Sequence, residues 1–203
     1  MLHSRLVGLT VFGLCSWFLG VATSLAAERP VSFVNEVVPL LTKAGCNIGV
    51  CHAKAGNGQN GFQLSLLGFE PLEDYDHLVK EARGRRLFTA APDQSLLLLK
   101  ASGKRPHGGG VRLEETSAGY ALLRQWIAQG ALLDKADAPK LVSFAVQHEH
   151  GTIARGGQQQ LKAIAKYSDG SERDITSMAL YESNDRSMVA VDDRGLVKVQ
   201  DLT

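Results

Sequence analysis

Cys46-Asn47-Ile48-Gly49-Val50-Cys51-His52 is the stretch from which the rest of the chain is best read. Two thiols with an imidazole directly after the second form a longer-looped version of C-x-x-C-H, the attachment signature of c-type haem. The chemistry asks for those residue types. Two thiols add across the two vinyl groups of the porphyrin, and the adjoining histidine is held beneath the iron as its proximal ligand. A four-residue loop still reaches around the porphyrin edge because Gly49 within it relieves backbone strain. Cys46 and Cys51 are therefore the expected covalent anchors and His52 the expected iron ligand. Two other chemistries use a close cysteine pair. An oxidising compartment permits a Cys46–Cys51 disulfide, and such a pair can be half of a tetrahedral zinc site, although no second pair follows in the sequence.

Upstream, residues 1–26 read as a secretory signal. Arg5 gives the positive start, Leu9 to Ala22 the apolar run, and Ser24-Leu25-Ala26 the small residues before a cleavage ahead of Ala27. An uncleaved anchor is the alternative, although the run is short and glycine-bearing for a membrane span. Cys15 lies inside this segment and is expected to leave with it, so the mature chain keeps only the two motif thiols. Export to the periplasm or cell surface fits a haem that is attached outside the cytoplasm. With 22 basic and 21 acidic residues the net charge is +1, and nothing points to a nucleic-acid partner.

Two textures follow the signal. Residues 31–134 lean helical: Phe33, Val37, Leu40 and Leu41 recur at helical spacing before the motif, and Pro39 is expected to kink or divide that helix. Phe62 to Phe69 alternates as a short extended segment would. Glu73 to Ala82 and Ser95 to Ala101 read as helices. Thr116 or Ser117 caps a last helix with a core face of Tyr120, Leu123, Trp126 and Ile127, ended by Gly130. After the short polar linker Asp134 to Pro139, the runs 141–146, 159–167, 179–182, 188–191 and 196–199 are β-rich. Asp169-Gly170 and Asp193-Arg194-Gly195 supply turns, and the pattern argues for a sandwich.

Residues 157–176, Gly-Gln-Gln-Gln-Leu-Lys-Ala-Ile-Ala-Lys-Tyr-Ser-Asp-Gly-Ser-Glu-Arg-Asp-Ile-Thr, resemble the group 2 bacterial immunoglobulin-like module, as do Ser183-Asn-Asp, Val189-Ala-Val-Asp192 and Gly195-Leu-Val197. That resemblance covers residues 140–203 and implies a β-sandwich serving as a spacer or as a binding module for a cell-surface protein or glycan. The module normally finishes with further strand sequence, so it is expected to be incomplete here and the chain to be a fragment of a longer protein.

Residues 33–131 resemble the cytochrome c-like domain of large exported planctomycete proteins. The match is carried by Cys46 to His52, Ala82-Arg-Gly-Arg-Arg86, Ser95-Leu-Leu-Leu-Leu-Lys100, Pro106-His-Gly-Gly-Gly110 and Trp126-Ile-Ala-Gln-Gly-Ala131. It implies a mainly α domain with covalently bound haem c, in which the helix before the motif and the closing helix pack across each other. The overall expectation is a multi-domain chain, a mainly α cytochrome c-like domain followed by an all-β immunoglobulin-like sandwich.

The domain contains no methionine to serve opposite His52. His107 stands in Pro106-His-Gly-Gly-Gly110, where glycines let backbone approach a flat cofactor, and it precedes the final helix as the ligand loop of a class I cytochrome does. His107 is thus the expected distal ligand. His77, beside Glu73-Asp-Tyr-Asp76, reads as a solvated histidine. His148 and His150 alternate on one strand and read as solvent-facing. Arg83, Arg85 and Arg86 are either partners for haem propionates or a solvated cluster. The expected function is electron transfer or redox sensing with an unidentified redox partner. The alternatives are a disulfide-closed surface-binding protein, or a haem domain serving an enzyme further along a longer chain. No catalytic constellation is legible within these residues.

Overall fold

Ser32 starts the helical unit: its Oγ accepts the Asn35 N–H at 2.9 Å, the bond expected of an N-cap. A π-helical turn, Phe33–Val37, runs into helix α1, Val38–Lys43. Pro39 sits in the first turn of α1, where its missing N–H leaves no bond unmade, so the proline divides the helical stretch as its sequence position suggests. The computed structural model describes residues 29–148 and 152–201; the expected signal, residues 1–26, and His150 lie outside the described residues. Among the described residues no helix is long and apolar enough to cross a membrane.

The next two segments differ from their sequence patterns. Residues 62–69 form no strand. Leu64 makes a single parallel bridge with Ala53, Phe62 an antiparallel one with Gln59, and Leu66–Gly68 is a 3-10 turn. Helix α2 begins at Pro71 and runs to Tyr75, continues as a π-helical turn over Asp76–Lys80, and stops at Glu81. The cause of the earlier start is Asp74, which turns into the core instead of joining an exposed acidic face. It accepts the Ser65 hydroxyl at 2.6 Å and the Ser65 N–H. The stop comes where Ala82 and Arg83 take positive φ, which no helix tolerates.

Helix α3, Leu96–Ala101, and helix α4, Ala118–Ala128, fall where the sequence places them. Ser117 caps α4 by accepting the Tyr120 N–H, and Gly130 follows the helix at φ 97°. The core gathers Phe33, Val37, Leu41, Leu78, Leu98, Leu123, Trp126 and Ile127. Phe33 is fully buried between Tyr75 and Trp126, with ring centres 5.2 Å and 5.4 Å away, so the turn before α1 packs directly on α4.

Beyond Pro139 the described residues form two antiparallel three-stranded sheets. One is ordered β1 (Leu141–Gln147), β3 (Lys162–Tyr167), β4 (Glu172–Asp174); the other β2 (Gln158–Gln160), β6 (Leu196–Val199), β5 (Val189–Val191). Residues 179–182 are not a strand, and the run 159–167 is broken into β2 and β3. On β3 the side chains of Ala163, Ala165 and Tyr167 alternate inward, whereas every residue of its partner β1 is exposed. The fold is thus mixed, helical first and sheet-bearing afterwards. The two parts touch: Asn35 donates its amide to the Pro139 carbonyl at 2.8 Å. Lys43 donates to the Ala179 carbonyl at 2.9 Å and to the Asp193 carbonyl.

Candidate functional site

The end of α1 delivers the motif. Gly45 takes φ 77°, turning the chain out of the helix, and the Cys46 N–H donates to the Leu41 carbonyl at 2.9 Å. The four-residue loop then folds back on itself. The Cys51 N–H reaches the Ile48 carbonyl at 3.3 Å, and the His52 N–H reaches the Cys46 carbonyl at 3.0 Å. Asn47 anchors the loop from within. It is buried, its amide donates to Thr42 Oγ1 at 2.9 Å, and its carbonyl accepts the Leu67 N–H at 3.2 Å. Both thiols are free. Burial pushes the Cys46 thiol up to about 11, while the Arg112 guanidinium works against that rise and Cys51 adds to it. Cys46 is therefore protonated at neutral pH.

His52 is half-buried. The Leu64 N–H donates to its carbonyl at 2.7 Å, which ties the motif to the segment 62–64. That segment supplies the partner of the ring. His52 Nδ1 lies 3.3 Å from the Phe62 carbonyl, and the Phe62 ring packs 4.6 Å away. A carbonyl only accepts, so Nδ1 carries the proton and Nε2 keeps its lone pair. Burial lowers the His52 pKa, the Phe62 carbonyl opposes that, and His107 and Arg86 add to the lowering, so the imidazole is neutral.

His107 is built the same way on the opposite wall. Its Nδ1 donates to the Gly110 carbonyl at 2.9 Å, and the Gly110 N–H returns to the His107 carbonyl at 2.9 Å. Gly110 takes φ 71°, which lets so short a loop close. Gly109 lies against the ring: a Cβ there would meet His107 Cε1 at 3.0 Å. The two imidazole centres are 6.2 Å apart and their planes differ by 6°.

Cys46, Cys51, His52 and His107 all border one cavity of about 940 Å³. Its charge is one-sided: among the described residues Arg85, Arg86, Lys100 and Arg112 line it and no carboxylate does. Leu41, Leu64, Leu96 and Leu97 supply apolar wall. Such a cleft, large, partly apolar and bearing a few placed polar groups, is the kind that takes a cofactor. Among the described residues no group of three or more His, Cys, Asp or Glu side chains is placed to hold a metal ion by itself.

Other expectations change. His77 is not a solvated histidine: its side chain is 15% exposed. Nδ1 donates to the Gln63 carbonyl at 2.7 Å, and Nε2 faces Glu73 and Glu81 at 3.6 Å each. Its Nδ1 is thus committed to the Gln63 carbonyl, and the side chain does not border the cavity. The arginine cluster divides. Arg85 borders the cavity from an exposed position and Arg83 does not border it, while Arg86 is buried, with its guanidinium on backbone carbonyls. The roles of Phe62, Asn47 and Arg112 escaped the sequence analysis. Phe62 and Asn47 act through contacts distant in the chain, while Arg112 stands two residues past the glycine triplet and carries no motif of its own. Against known proteins, no family model, no curated protein and no solved structure matches this chain.

Proposed function

We propose that this is an exported c-type haem protein that transfers electrons or senses redox state, with haem held covalently by Cys46 and Cys51 and ligated by His52 and His107. The observation that carries the proposal is the meeting of both thiols and both imidazoles at one cavity. The ring spacing fits. An iron bound by two imidazoles needs ring centres about 6 Å apart, with metal–nitrogen bonds of about 2 Å and about 1 Å from each nitrogen to its ring centre. The ring centres here are 6.2 Å apart with stacked, nearly parallel planes, so it is the distance between them that meets this requirement. Each ring spends Nδ1–H on a backbone carbonyl and keeps Nε2 for a metal, the arrangement that orients histidine ligands in metal sites.

Haem would supply a one-electron iron couple. The leucines of the cavity would wall it, and the exposed Arg85 and Arg112 would pair with its carboxylates. His52 and His107 would both be spent on the iron, which would favour electron transfer over the binding of small ligands. The resemblance of residues 140–203 to an immunoglobulin-like module supports a spacer or surface-binding role for the sheets.

The test is haem-peroxidase staining of a denaturing gel after expression with the c-type maturation machinery. A stained band that disappears in the Cys46→Ala, Cys51→Ala double variant is the expected result. An unstained wild-type band, with a control cytochrome stained beside it, would return the pair to the disulfide.

A further inference from the structure

Arg86 lies between the arginine cluster read from the sequence and the wall of the cavity, and its bonds give it a different task. It is 5% exposed. Nη1 donates to the His77 carbonyl at 2.7 Å and the Glu81 carbonyl at 3.3 Å, and Nη2 donates to the Gly61 carbonyl at 3.2 Å. The face of the guanidinium lies 4.5 Å from the centre of the Phe62 ring. The same Phe62 ring packs against His52 at 4.6 Å, and the Phe62 carbonyl accepts the His52 Nδ1–H.

We propose that Arg86 is the positioning residue for His52. It acts through Gly61 and Phe62, fixing the carbonyl that selects the Nδ1–H tautomer and so aiming Nε2 into the cavity. The physical case rests on what else holds that segment. Residues 57–63 are a glycine-containing loop with Asn57, Asn60, Gly58 and Gly61 all at positive φ. Phe62 pairs with Gln59 of the same loop, its carbonyl accepting the Gln59 N–H at 3.1 Å and its N–H donating to the Gln59 carbonyl at 3.0 Å, bonds that move with the loop. Arg86, by contrast, ties Gly61 to the His77 and Glu81 backbone outside it. A planar fork that binds carbonyls on two separate segments and stacks on an aromatic face defines position and rotation together. Lysine, a point charge with rotatable donors, does not. Its donors are spent on backbone carbonyls and Nη2 stands 4.0 Å from the Glu81 carboxylate, which leaves pairing with haem carboxylates to Arg85 and Arg112 at the exposed side of the cavity. The proposal deepens the haem assignment but can be tested without haem.

The experiment is long-range proton–nitrogen NMR of the full chain produced without haem, at about pH 8, where histidine is neutral. Wild type should show His52 as the Nδ1–H tautomer. Arg86→Gln should shift it to a mixture rich in Nε2–H, the form that free imidazole prefers. Ser117→Ala, which removes the cap of α4, should lower stability yet leave the tautomer unchanged, which separates positioning from general loosening. If the Gln variant does not fold, Arg86→Lys decides by the same signal, and is also expected to gain Nε2–H. A wild-type His52 already in the Nε2–H form, or a folded Arg86 variant that keeps Nδ1–H at wild-type proportion, would overturn the proposal. Neither outcome depends on whether the protein binds haem, so failure of the cofactor assignment would appear separately, as an unstained gel.

Discussion

His107 and His77 were distinguishable in sequence only by their neighbours, glycines for one and acids for the other, and the structure separates them by what their nitrogens do. His107 offers a free Nε2 to the cavity, whereas His77 bridges the Gln63 carbonyl and two glutamates. Replacing His107 by alanine in the haem-loaded protein should therefore open the sixth iron position, seen as a high-spin absorption spectrum and new binding of carbon monoxide. His77→Ala should leave the spectrum low-spin and cost about 1 kcal/mol of stability through the lost carbonyl bond, measured by urea unfolding. Gly109→Ala gives a finer probe, since its methyl presses on His107 Cε1. Its low-spin bands should shift without loss of haem. A further residue-scale test is Glu36. Burial alone would raise its pKa, but Arg29 and the Ser32 N–H outweigh that and hold it below the ordinary carboxylate value. A carboxylate depressed on folding contributes stability above its unfolded pKa and loses it as pH falls through the folded one. Stability should thus fall on acidification below about pH 4.5, and Glu36→Gln should flatten that limb of the profile.

At the scale of elements, the helices that were legible are those with caps and a clean apolar stripe. Ser117 and the spacing of Tyr120, Leu123, Trp126 and Ile127 specified α4 without help from the rest of the chain. Ser117→Ala should accordingly cost about 1 kcal/mol. Trp126→Ala should cost about 3–5 kcal/mol, because Trp126 fills the centre of the core and donates its indole N–H to the Leu132 carbonyl at 2.9 Å. The misread elements were governed by distant partners. Phe62 to Phe69 alternates like a strand, but no second strand lies beside it; its inward groups serve His52 and Asp74 instead. Helix α2 could be placed only by knowing that Asp74 is buried on Ser65, a contact that composition does not announce.

Across the whole molecule, the division into helical and sheet parts was readable because texture changes at the 134–139 linker, and the four site residues were readable because each carries a motif. Their convergence was not, since Pro106 to Gly110 reaches His52 only through the packing of α1, α3 and α4. Two whole-chain consequences follow. Lys43, three residues before Cys46, joins α1 to the sheet-bearing part through the Ala179 and Asp193 carbonyls. In the other direction, β1 leaves Leu141, Val142, Phe144 and Val146 exposed along an open edge. Residues 140–201 made alone should therefore associate in sedimentation experiments. A monomer that unfolds sharply and reversibly would show that this strand needs no cover. The central claim is that Cys46, Cys51, His52 and His107 hold one haem between two imidazoles. The most direct measurement is the absorption spectrum of the chain matured with the c-type machinery. Low-spin bands in the folded protein that turn high-spin on His107→Ala alone, and a haem absorption that stays with the polypeptide after denaturation, are predicted. Protein emerging without haem from a system that matures a control cytochrome would contradict the claim.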